Sequence, residues 1–467
     1  MTDRRDFIKL TGILSAGLLL APEIIIGASN KPRAVVIGAG FSGLAAARML
    51  RMKGMEVTVL EARNRIGGRV FTHTIDQEEN LTVELGAEWV GASHTRIQEL
   101  CKEYNITLLN HQFDTHLTYQ GKYYKPSEWS YSETWNKKLA EIFKKFPALT
   151  PAEQKKMDKQ DWWRFLVNNG MEQRDLDIRE IFDSTDFGES IRHVSGFAAL
   201  SEYAESSPKN EMDFRIMGGN GKLAEAMSKT VGMENIKLST RVSRVVQSGK
   251  TVKVYAGDTV YEAEHVICCL PTFAMSKISW EPGLSEERID AINALQYARI
   301  IKNSALFSER FWNDESFDMG TDIMGHYYFH STKNQPGKKG VLTSYTIGDK
   351  ADVIGKQNEQ YRKDVVAKGL EPAFGNQSSK IIKVAGYYWG NDEFSRGAYA
   401  CYGADQWFKI RPILAENHQR VHFAGEHIAD WQGFMEGAIE TGEAAAETVL
   451  REAKMMGKAK KTVALSQ

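Results

Sequence analysis

The sequence predicts an α/β fold in which a parallel-sheet domain is assembled from three separated segments and a second domain is threaded between them. Three observations carry this prediction: a strand–helix–strand pattern at residues 34–60, strand patterns again at residues 236–270, and a last strand and helix at residues 421–453. The intervening residues 89–213 predict helical and irregular structure, whereas residues 295–395 contain further strand-like stretches. A chain of 467 residues is long enough for two or three domains.

The first segment contains one β-α-β unit. Residues 34–37 form a continuous apolar run, which is typical of a strand covered on both faces of a parallel sheet. Residues 44–52 predict a helix that ends at Gly54, and residues 56–60 predict the second strand. The whole unit takes about thirty residues, which is the usual length of such a motif.

Gly38, Gly40 and Gly43 form a Gly-x-Gly-x-x-Gly turn between the first strand and its helix. Gly38 permits the tight turn, Gly40 lets backbone amides approach a pyrophosphate, and Gly43 lets the helix pack against the strand. The helix N-terminus also attracts phosphate groups. Glu61 ends the next strand at the spacing of a carboxylate that binds ribose hydroxyls. The pattern therefore predicts a dinucleotide with a free ribose diol, either FAD or NAD.

Composition and charge argue against several classes of function. The formal net charge is −1, and hence no electrostatic signal indicates binding to nucleic acid or to an anionic membrane. The four cysteines do not form a disulfide framework, and the adjacent Cys268 and Cys269 lie in an apolar run that predicts core packing. No group of residues has the spacing of zinc ligands, so we expect no metal.

Residues 1–30 predict an export signal that does not belong to the fold. A charged stretch at residues 3–9 precedes an apolar run at residues 10–20 and a small-residue processing end at residues 26–28. The paired arginines Arg4 and Arg5, with Phe7 after them, resemble a twin-arginine signal, which predicts a periplasmic or secreted protein.

A surface amphipathic helix or a membrane anchor is the alternative for this leader. Pro22 and Glu23 interrupt the apolar run, which leaves too few consecutive apolar residues to span about 30 Å of hydrocarbon. We therefore expect no stable membrane span.

A second run of glycines and arginines, residues 63–69, follows Glu61 directly and can bring charge and backbone amides onto an extended dinucleotide. Here the chain resembles the flavin-dependent amine oxidase family, which includes monoamine, polyamine and L-amino acid oxidases. The resemblance recurs in order along almost the whole mature chain. The further motifs are Val83-Glu84-Leu85-Gly86-Ala87-Glu88-Trp89, Met217-Gly218-Gly219-Asn220-Gly221-Lys222-Leu223, Thr240-Arg241-Val242-Ser243-Arg244-Val245, Cys268-Cys269-Leu270-Pro271, Phe423-Ala424-Gly425-Glu426 and Trp431-Gln432-Gly433-Phe434-Met435-Glu436-Gly437-Ala438.

The resemblance implies an FAD-binding Rossmann-like domain of the glutathione-reductase type and an α+β substrate-binding domain, both discontinuous. The FAD-binding domain is expected at residues 32–87, 215–292 and 397–455, and the substrate-binding domain at residues 88–214 and 293–396.

The resemblance also assigns residues to FAD. Glu426 is expected at the ribityl or pyrophosphate part and the backbone of Val242 at adenine. The backbone N–H of Met435 is expected at the flavin pyrimidine, where a helix N-terminus stabilises the negative charge of reduced flavin. Ala398 stands where mitochondrial monoamine oxidases carry the cysteine bonded to flavin, so non-covalent FAD is expected. The expected FAD-binding residues are Gly38, Gly40, Ser42, Gly43, Glu61, Ala62, Arg63, Gly68, Arg69, Gly86, Ala87, Trp89, Val242, Gly425, Glu426 and Met435.

Five residues are expected at the reaction itself. Lys302 resembles the family's lysine that holds a water against flavin N5. Tyr399 and Phe434 correspond to the two walls of the family's aromatic cage, and Trp389 and Trp431 are expected nearby, with ordinary core packing as their alternative. Two aromatic faces restrict a neutral amine to one approach and favour the positive charge that develops on its nitrogen.

These residues imply an oxidase that takes a hydride from the carbon bearing a small-molecule amine and uses oxygen as acceptor. Trp89 stands where related amino acid oxidases often carry an arginine for the substrate carboxylate, which favours an amine without one. Arg179, Arg192 or Arg215 could supply that arginine, so an L-amino acid oxidase stays open. Glu88 could attract a second ammonium, or be a solvated or backbone-capping residue.

Two other classes are also open at this point. An amine dehydrogenase would pass its electrons to a cytochrome or quinone, and the sequence does not decide between these acceptors and oxygen. A flavin-binding module without activity is the third alternative, against which Lys302, Tyr399 and Phe434 argue. The sequence also leaves open whether the protein forms a homodimer.

Overall fold

The computed structural model describes the backbone of residues 23–25 and 31–465 and the side chains of residues 31–454. It confirms the α/β fold. Its centre is a five-stranded sheet in which every strand runs parallel to its neighbours, and three separated parts of the chain supply it. The order across the sheet is Ile236–Lys237, Glu56–Leu60, Arg33–Ile37, His265–Cys268 and Val421–Phe423.

Helix Phe41–Met52 packs on this sheet and buries almost all of its length. It also contacts helices Gly221–Val231 and Met435–Leu465. The small side chains of its central residues, 45–47, are fully buried, which lets the neighbouring elements approach closely. The core beneath the glycine turn is therefore built from elements that are remote in the sequence.

A second five-stranded sheet is mixed and has the order Glu23–Ile25, Thr259–Ala263, Thr251–Ala256, Arg244–Ser248 and Ser279–Glu281. Glu23–Ile25 pairs in parallel with Thr259–Ala263, although it belongs to the predicted leader. The rest of that leader, residues 1–22 and 26–30, lies outside the described residues, so the export signal stays a prediction.

A third sheet has seven strands, which lie between residues 114 and 388. The strands Asp114–Tyr119 and Lys122–Tyr124 belong to it, which corrects the expectation of purely helical and irregular structure for residues 89–213. Asp114–Tyr119 pairs with the adjacent strand Lys122–Tyr124 and with the remote strand Phe317–Thr321. It contains one aliphatic residue, Leu117, so no apolar run marks it in the sequence. The order across the sheet is Ile381–Tyr388, Ile300–Phe307, Gly340–Ile347, Tyr327–His330, Phe317–Thr321, Asp114–Tyr119 and Lys122–Tyr124.

Three two-stranded ribbons and the helices complete the fold. The ribbons pair Thr72–Asp76 with Leu81–Glu84, Leu108–Asn110 with Phe214–Ile216, and Gln296–Tyr297 with Ala400–Cys401. The remaining α-helices are Thr95–Glu103, Glu133–Lys145, Pro151–Asp158, Trp162–Asn168, Gln173–Phe187, Gly196–Glu205, Thr272–Met275, Glu286–Ala294, Gly348–Gly355, Glu359–Phe374 and Arg411–Ala415. Short 3-10 helices occur at Pro126–Glu128, Phe146–Ala148, Met233–Asn235, Ser378–Lys380, Trp389–Asn391 and Glu426–Ile428.

Some element boundaries differ from those predicted. The last helix begins at Met435 and not at Gly433, because Gly433 has a φ of +81°, which is not helical. Val242 precedes the strand Arg244–Ser248 and does not lie in it. Among the described residues, no helix combines the length and the apolar character needed to cross a bilayer. The domain boundaries given above stay predictions.

Candidate active site

The glycine turn connects strand Arg33–Ile37 to helix Phe41–Met52 and brings the backbone close to its surroundings. A Cβ on Gly43 would lie 1.9 Å from the carbonyl oxygen of Gly38, so only glycine allows this contact. A Cβ on Gly68 would lie 3.1 Å from the Cα of Gly40, because the second glycine run packs against the first. The two runs together form a cradle lined by backbone.

Glu61 lies beside this turn and is buried. Its carboxylate accepts hydrogen bonds from the backbone N–H of Ala39 at 2.7 Å and of Arg63 at 2.8 Å. Both contacts hold the carboxylate at the end of its strand, where the sequence placed a ribose-binding acid. Because these bonds already fix the side chain of Glu61, that side chain loses little conformational entropy when a ligand binds.

Of the three arginines in the run after Glu61, Arg63 and Arg69 each bind a carboxylate that is remote in sequence. Arg63 donates two hydrogen bonds of 2.6 Å to Asp392, and these bonds lower the pKa of Asp392 below its usual value despite the opposing effect of burial. Arg69 donates to Glu426 at 2.6 Å and to the carbonyl of Ala398 at 2.8 Å. Their charges are thus already compensated, and their side chains join distant segments around the site.

A single elongated cavity extends from Glu61 and Val242 to Tyr399 and Phe434. Nearly every residue expected at FAD or at the reaction lines it. These residues are Gly38, Gly40, Ser42, Glu61, Ala62, Arg63, Gly68, Arg69, Gly86, Ala87, Trp89, Val242, Lys302, Trp389, Tyr399, Gly425, Glu426, Phe434 and Met435. Gly43 and Trp431 are not part of the lining. Gly43 serves the helix–strand contact, and Trp431 packs behind Phe434 with ring centroids 5.8 Å apart.

The cavity fits a dinucleotide that carries a flavin. Backbone amides of the glycine cradle lie beside the buried hydroxyl of Ser42, which makes no hydrogen bond within the described residues. Helix Met435–Leu465 begins at the cavity wall, so its positive end faces the cavity. Ala398 also lines the cavity, and its methyl group offers no atom for a covalent bond.

Lys302 lies in the middle of the fully buried strand Ile300–Phe307. Its ammonium donates to the carbonyl oxygen of Gly86 at 2.8 Å and to Oε2 of Glu88 at 2.9 Å. The aromatic rings of Trp89, Phe329 and Tyr345 surround it at 5.5 to 5.7 Å. An ammonium has three donors, so one donor is left for a molecule inside the cavity.

Glu88 is the charged partner of Lys302. Nε2 of His111 and Nε of Arg215 lie 3.3 and 3.8 Å from its other oxygen. Burial alone raises the pKa of Glu88, but Lys302, His111 and Arg215 together lower it to about 2. These contacts argue against the three alternatives given for Glu88, because the carboxylate is buried and its partners among the described residues are the side chains of Lys302, His111 and Arg215, and not solvent, a second ammonium or a backbone N–H.

The aromatic end of the cavity is held by hydrogen bonds and ring contacts. The hydroxyl of Tyr399 donates to the carbonyl oxygen of Asp186 at 2.7 Å and lies 3.0 Å from the hydroxyl of Tyr345. The ring of Phe434 packs on His94 at 4.8 Å between centroids. Trp389 is buried and donates its indole N–H to the carbonyl oxygen of Leu85 at 2.8 Å.

Four carboxylates that the sequence analysis did not identify also line the cavity: Asp186, Glu202, Glu211 and Glu393. Asp186 accepts hydrogen bonds from Tyr203 at 2.8 Å and Asn210 at 2.7 Å. Burial and the neighbouring Asp183 raise its pKa to about 7. Burial also raises the pKa of Glu202 well above its usual value. No family motif covers these positions, so only the folded chain reveals them.

None of the three arginines considered as carboxylate partners lines the cavity. Arg179 binds Asp183 at 3.1 Å, and Arg215 donates to carbonyl oxygens of the core. Arg192 lies over the ring of Trp163 at 3.7 Å. The arginines that do line the cavity are each paired with an acid: Arg63 with Asp392, Arg69 with Glu426 and Arg241 with Glu393.

Comparison with known proteins agrees with this geometry. The chain is 26% identical over 472 residues to the flavin-containing amine oxidase B of Homo sapiens, covering 90% of this chain and 86% of that protein. It is 27% identical over 458 residues to the flavin-containing amine oxidase A of Sus scrofa, covering 89% and 84%.

Solved structures show the same fold. A putrescine oxidase bound to putrescine has a TM-score of 0.80 at 23% identity and covers 90% of this chain and 99% of its own. The cyclohexylamine oxidase from Brevibacterium oxydans IH-35A has a TM-score of 0.81 at 20% identity, with 91% and 100% covered. Residues 41–450 match the family model described as flavin containing amine oxidoreductase. Since this match spans most of the chain, the protein belongs to the flavin-containing amine oxidoreductases and is an oxidoreductase with a flavin cofactor.

Proposed function

We propose that this enzyme oxidises an amine to an imine with non-covalently bound FAD, and that oxygen is the final acceptor and becomes hydrogen peroxide. The imine then hydrolyses to an aldehyde and ammonia. The observation that carries the proposal is that one cavity joins a dinucleotide cradle, a buried lysine and two aromatic side chains. FAD, when bound, supplies the acceptor for the hydride that leaves the α carbon of the amine.

Residues from both ends of the chain would hold the cofactor. The amides of residues 38–43 and the helix N-terminus behind them suit the pyrophosphate, and Glu61 suits the ribose hydroxyls. The N-terminus of helix Met435–Leu465 suits the flavin pyrimidine, where it would stabilise negative charge. Ala398 cannot form a thioether, which supports non-covalent binding.

Tyr399 and Phe434 orient the amine. The hydroxyl of Tyr399 is bound by Asp186 and Tyr345, so its ring has one fixed position, and packing on His94 restrains Phe434. Fixed walls hold the α C–H in one direction of approach, which is an entropic contribution to the rate. Burial raises the pKa of Tyr399 well above its usual value, so the hydroxyl stays neutral and serves as a positioning group.

Lys302 holds a water in the cavity. Two of its three donors are bound to Gly86 and Glu88, and the third has no partner within the described residues. Because Glu88 fixes the ammonium, a water bound by the third donor also has a fixed position. We assign to this fixed water a positioning role that would assist reoxidation of a bound flavin.

The acidic lining favours a cationic substrate over one that carries a carboxylate. Asp186, Glu202 and Glu211 line the cavity, and every arginine of its lining is already paired. A substrate carboxylate would find no bidentate partner there and would oppose ionisation of these acids, which costs binding energy. This argues against an L-amino acid oxidase.

The same acids favour a second candidate, a diamine whose far ammonium lies among these carboxylates. Glu202 lines the cavity, and the charged groups that act on it are the acids Asp186, Glu211 and Asp183, which a cation would compensate. The putrescine oxidase of similar fold binds a diamine, which is consistent with this candidate.

For localisation, we propose export by the twin-arginine route, because Arg4, Arg5 and Phe7 match such a signal. Replacing both arginines by lysine keeps the charge and is expected to retain the enzyme in the cytoplasm. Fractionation of cells followed by immunoblotting measures this. Unchanged export of the lysine variant would assign the chain to another route.

Substrate class is tested by a panel that pairs each amine with its amino acid, such as phenethylamine with phenylalanine, and adds a diamine of similar length. We expect amines to bleach the flavin anaerobically and phenylalanine to do so at least a hundredfold more slowly. Hydrogen peroxide yield then measures use of oxygen. Faster bleaching by the amino acid would contradict the proposal, and bleaching without peroxide would indicate a dehydrogenase.

Replacing Lys302 by Met removes the donor to the water but keeps the side chain's length. We expect reoxidation by oxygen to slow about tenfold, which corresponds to about 1.4 kcal/mol, and reduction by amine to change much less. Stopped-flow measurement separates the two half-reactions. Because Met removes the nearest cation of Glu88, the Lys302→Met/Glu88→Gln double variant is measured beside it.

Lys333→Met is the matched control, since Lys333 binds Ser316 at 3.0 Å and does not line the cavity. It should leave both half-reactions unchanged. A collapse of reduction with normal reoxidation in Lys302→Met would instead assign Lys302 to substrate handling.

Non-covalent binding of FAD predicts that the flavin leaves the protein on denaturation. Acid precipitation should leave a colourless pellet and a yellow supernatant whose absorbance matches the flavin content of the native enzyme. The control is a sample of denatured protein mixed with free FAD. Flavin that stays in the pellet after washing would show a covalent bond at another residue.

A further inference from the structure

A cluster of three ionisable side chains lies at the amino ends of the parallel strands, opposite the cavity. His265 begins strand His265–Cys268, His422 lies in the neighbouring strand Val421–Phe423, and Glu452 reaches both from the last helix. Cys269, just beyond the other end of the His265 strand, lines the cavity. Since a strand rises about 3.3 Å per residue, about 13 Å separates His265 from Cys269 and about 10 Å separates His422 from Gly425, which also lines the cavity.

The three side chains converge on one point. Their candidate ligand atoms all lie within 4.8 Å of one another. Nδ1 of His265 lies 3.3 Å and Nε2 of His422 lies 3.5 Å from the same oxygen, Oε2 of Glu452. These separations are longer than the usual N–H···O distance of about 2.9 Å.

The imidazoles are buried and lack hydrogen bonds. Relative exposure is 0% for His265 and 1% for His422, and none of their four ring nitrogens makes a hydrogen bond within the described residues. Buried polar atoms almost always have a partner, because leaving one unsatisfied costs free energy. Two of these atoms, Nδ1 of His265 and Nε2 of His422, face the same carboxylate oxygen without a hydrogen bond, which indicates that a further partner belongs at this point.

The distances fit a metal ion better than a water. Zinc bonds imidazole nitrogen at about 2.0–2.1 Å and carboxylate oxygen at about 2.0–2.2 Å, so ligand atoms of a tetrahedral site lie about 3.4 Å apart. The two measured N···O separations, 3.3 and 3.5 Å, agree with this spacing. Two imidazoles and one carboxylate are also a ligand set that zinc prefers.

We propose that His265, His422 and Glu452 bind one divalent transition-metal ion of the zinc class, with water as the fourth ligand. The side chain of Glu452 is 32% exposed, which provides an entry path for the ion and space for the water. The sequence predicted no metal, because these residues lie on three separate elements and none of the usual ligand spacings relates them.

The ion joins the last helix to the sheet, far from the reaction. Its role is therefore structural: it gives one nitrogen of each imidazole a partner and fastens Glu452 to two strands. Zinc should raise the Tm of the protein and leave the rate of amine oxidation unchanged, because nothing in the cavity contacts the cluster. The site does not depend on the function proposed above.

The test uses the full-length holoenzyme, stripped with a chelator, incubated with Zn²⁺ and passed through a desalting column. Elemental analysis should find about one zinc per chain, and zinc should raise Tm by a few degrees in a concentration-dependent way. Glu452→Gln and His265→Gln should each lower the retained zinc at least tenfold and abolish the rise in Tm.

Glu447→Gln is the matched control, because Glu447 is exposed on the same helix and lies outside the cluster. It should bind zinc like the unchanged protein. Glu452→Gln changes a partly exposed residue, so it keeps the test decisive even where His265→Gln does not fold. Equal zinc retention in Glu452→Gln and Glu447→Gln, or no zinc in the unchanged protein, would overturn the proposal.

Discussion

Glu88 is a carboxylate that is buried away from water. The arrangement of the cavity around Lys302 depends on how the charge of Glu88 is compensated. Lys302, Arg215 and His111 surround it, and each comes from a different part of the chain. Removing one partner of a buried ion pair typically costs about 3–5 kcal/mol, because an uncompensated charge stays behind. The pairing therefore fixes the loop that carries Gly86 and Glu88 against the strand Ile300–Phe307, and it fixes the direction of the Lys302 ammonium. A lysine that would otherwise extend into solvent becomes a rigid donor inside the cavity.

Similar charge pairs close the cavity along its length. Arg63 with Asp392 and Arg69 with Glu426 connect residues 329 and 357 positions apart. Each pair joins the first β-α-β segment to a later one, so the cofactor site forms only when the chain has returned to its starting sheet. Because these arginines are already neutralised by protein acids, attraction of a dinucleotide falls mainly to backbone amides and helix N-termini. Such donors suit a cofactor that stays bound, because they need no reorganisation when it binds.

The sequence was sufficient to predict the parallel sheet, the glycine turn, Glu61 and most of the cavity lining, because these features are encoded in short contiguous motifs. It was insufficient wherever the signal depends on residues that meet only in three dimensions. The partners of Glu88, the carboxylates Asp186 and Glu202, and the histidines of the zinc-class cluster were missed because isolated charged residues in a sequence do not indicate what they face. Asp114–Tyr119 was missed as a strand for another reason, since it contains a single aliphatic residue and hence no apolar run. For Trp431, the motif correctly predicted that the residue lies near the cavity but not the direction of its side chain, which packs on Phe434.

Asp186 and Glu88 make opposite contributions to the pH dependence of folding. The pKa of Asp186 rises from 3.8 to about 7, so its contribution to stability is fully present below pH 3.8 and is lost as pH rises through 7. The pKa of Glu88 falls from 4.5 to about 2, so its contribution is present above pH 4.5 and is lost as pH falls toward 2. A cation bound beside Asp186 favours its ionised form. Occupancy of that end of the cavity by a cationic group is therefore thermodynamically linked to the release of a proton near neutral pH.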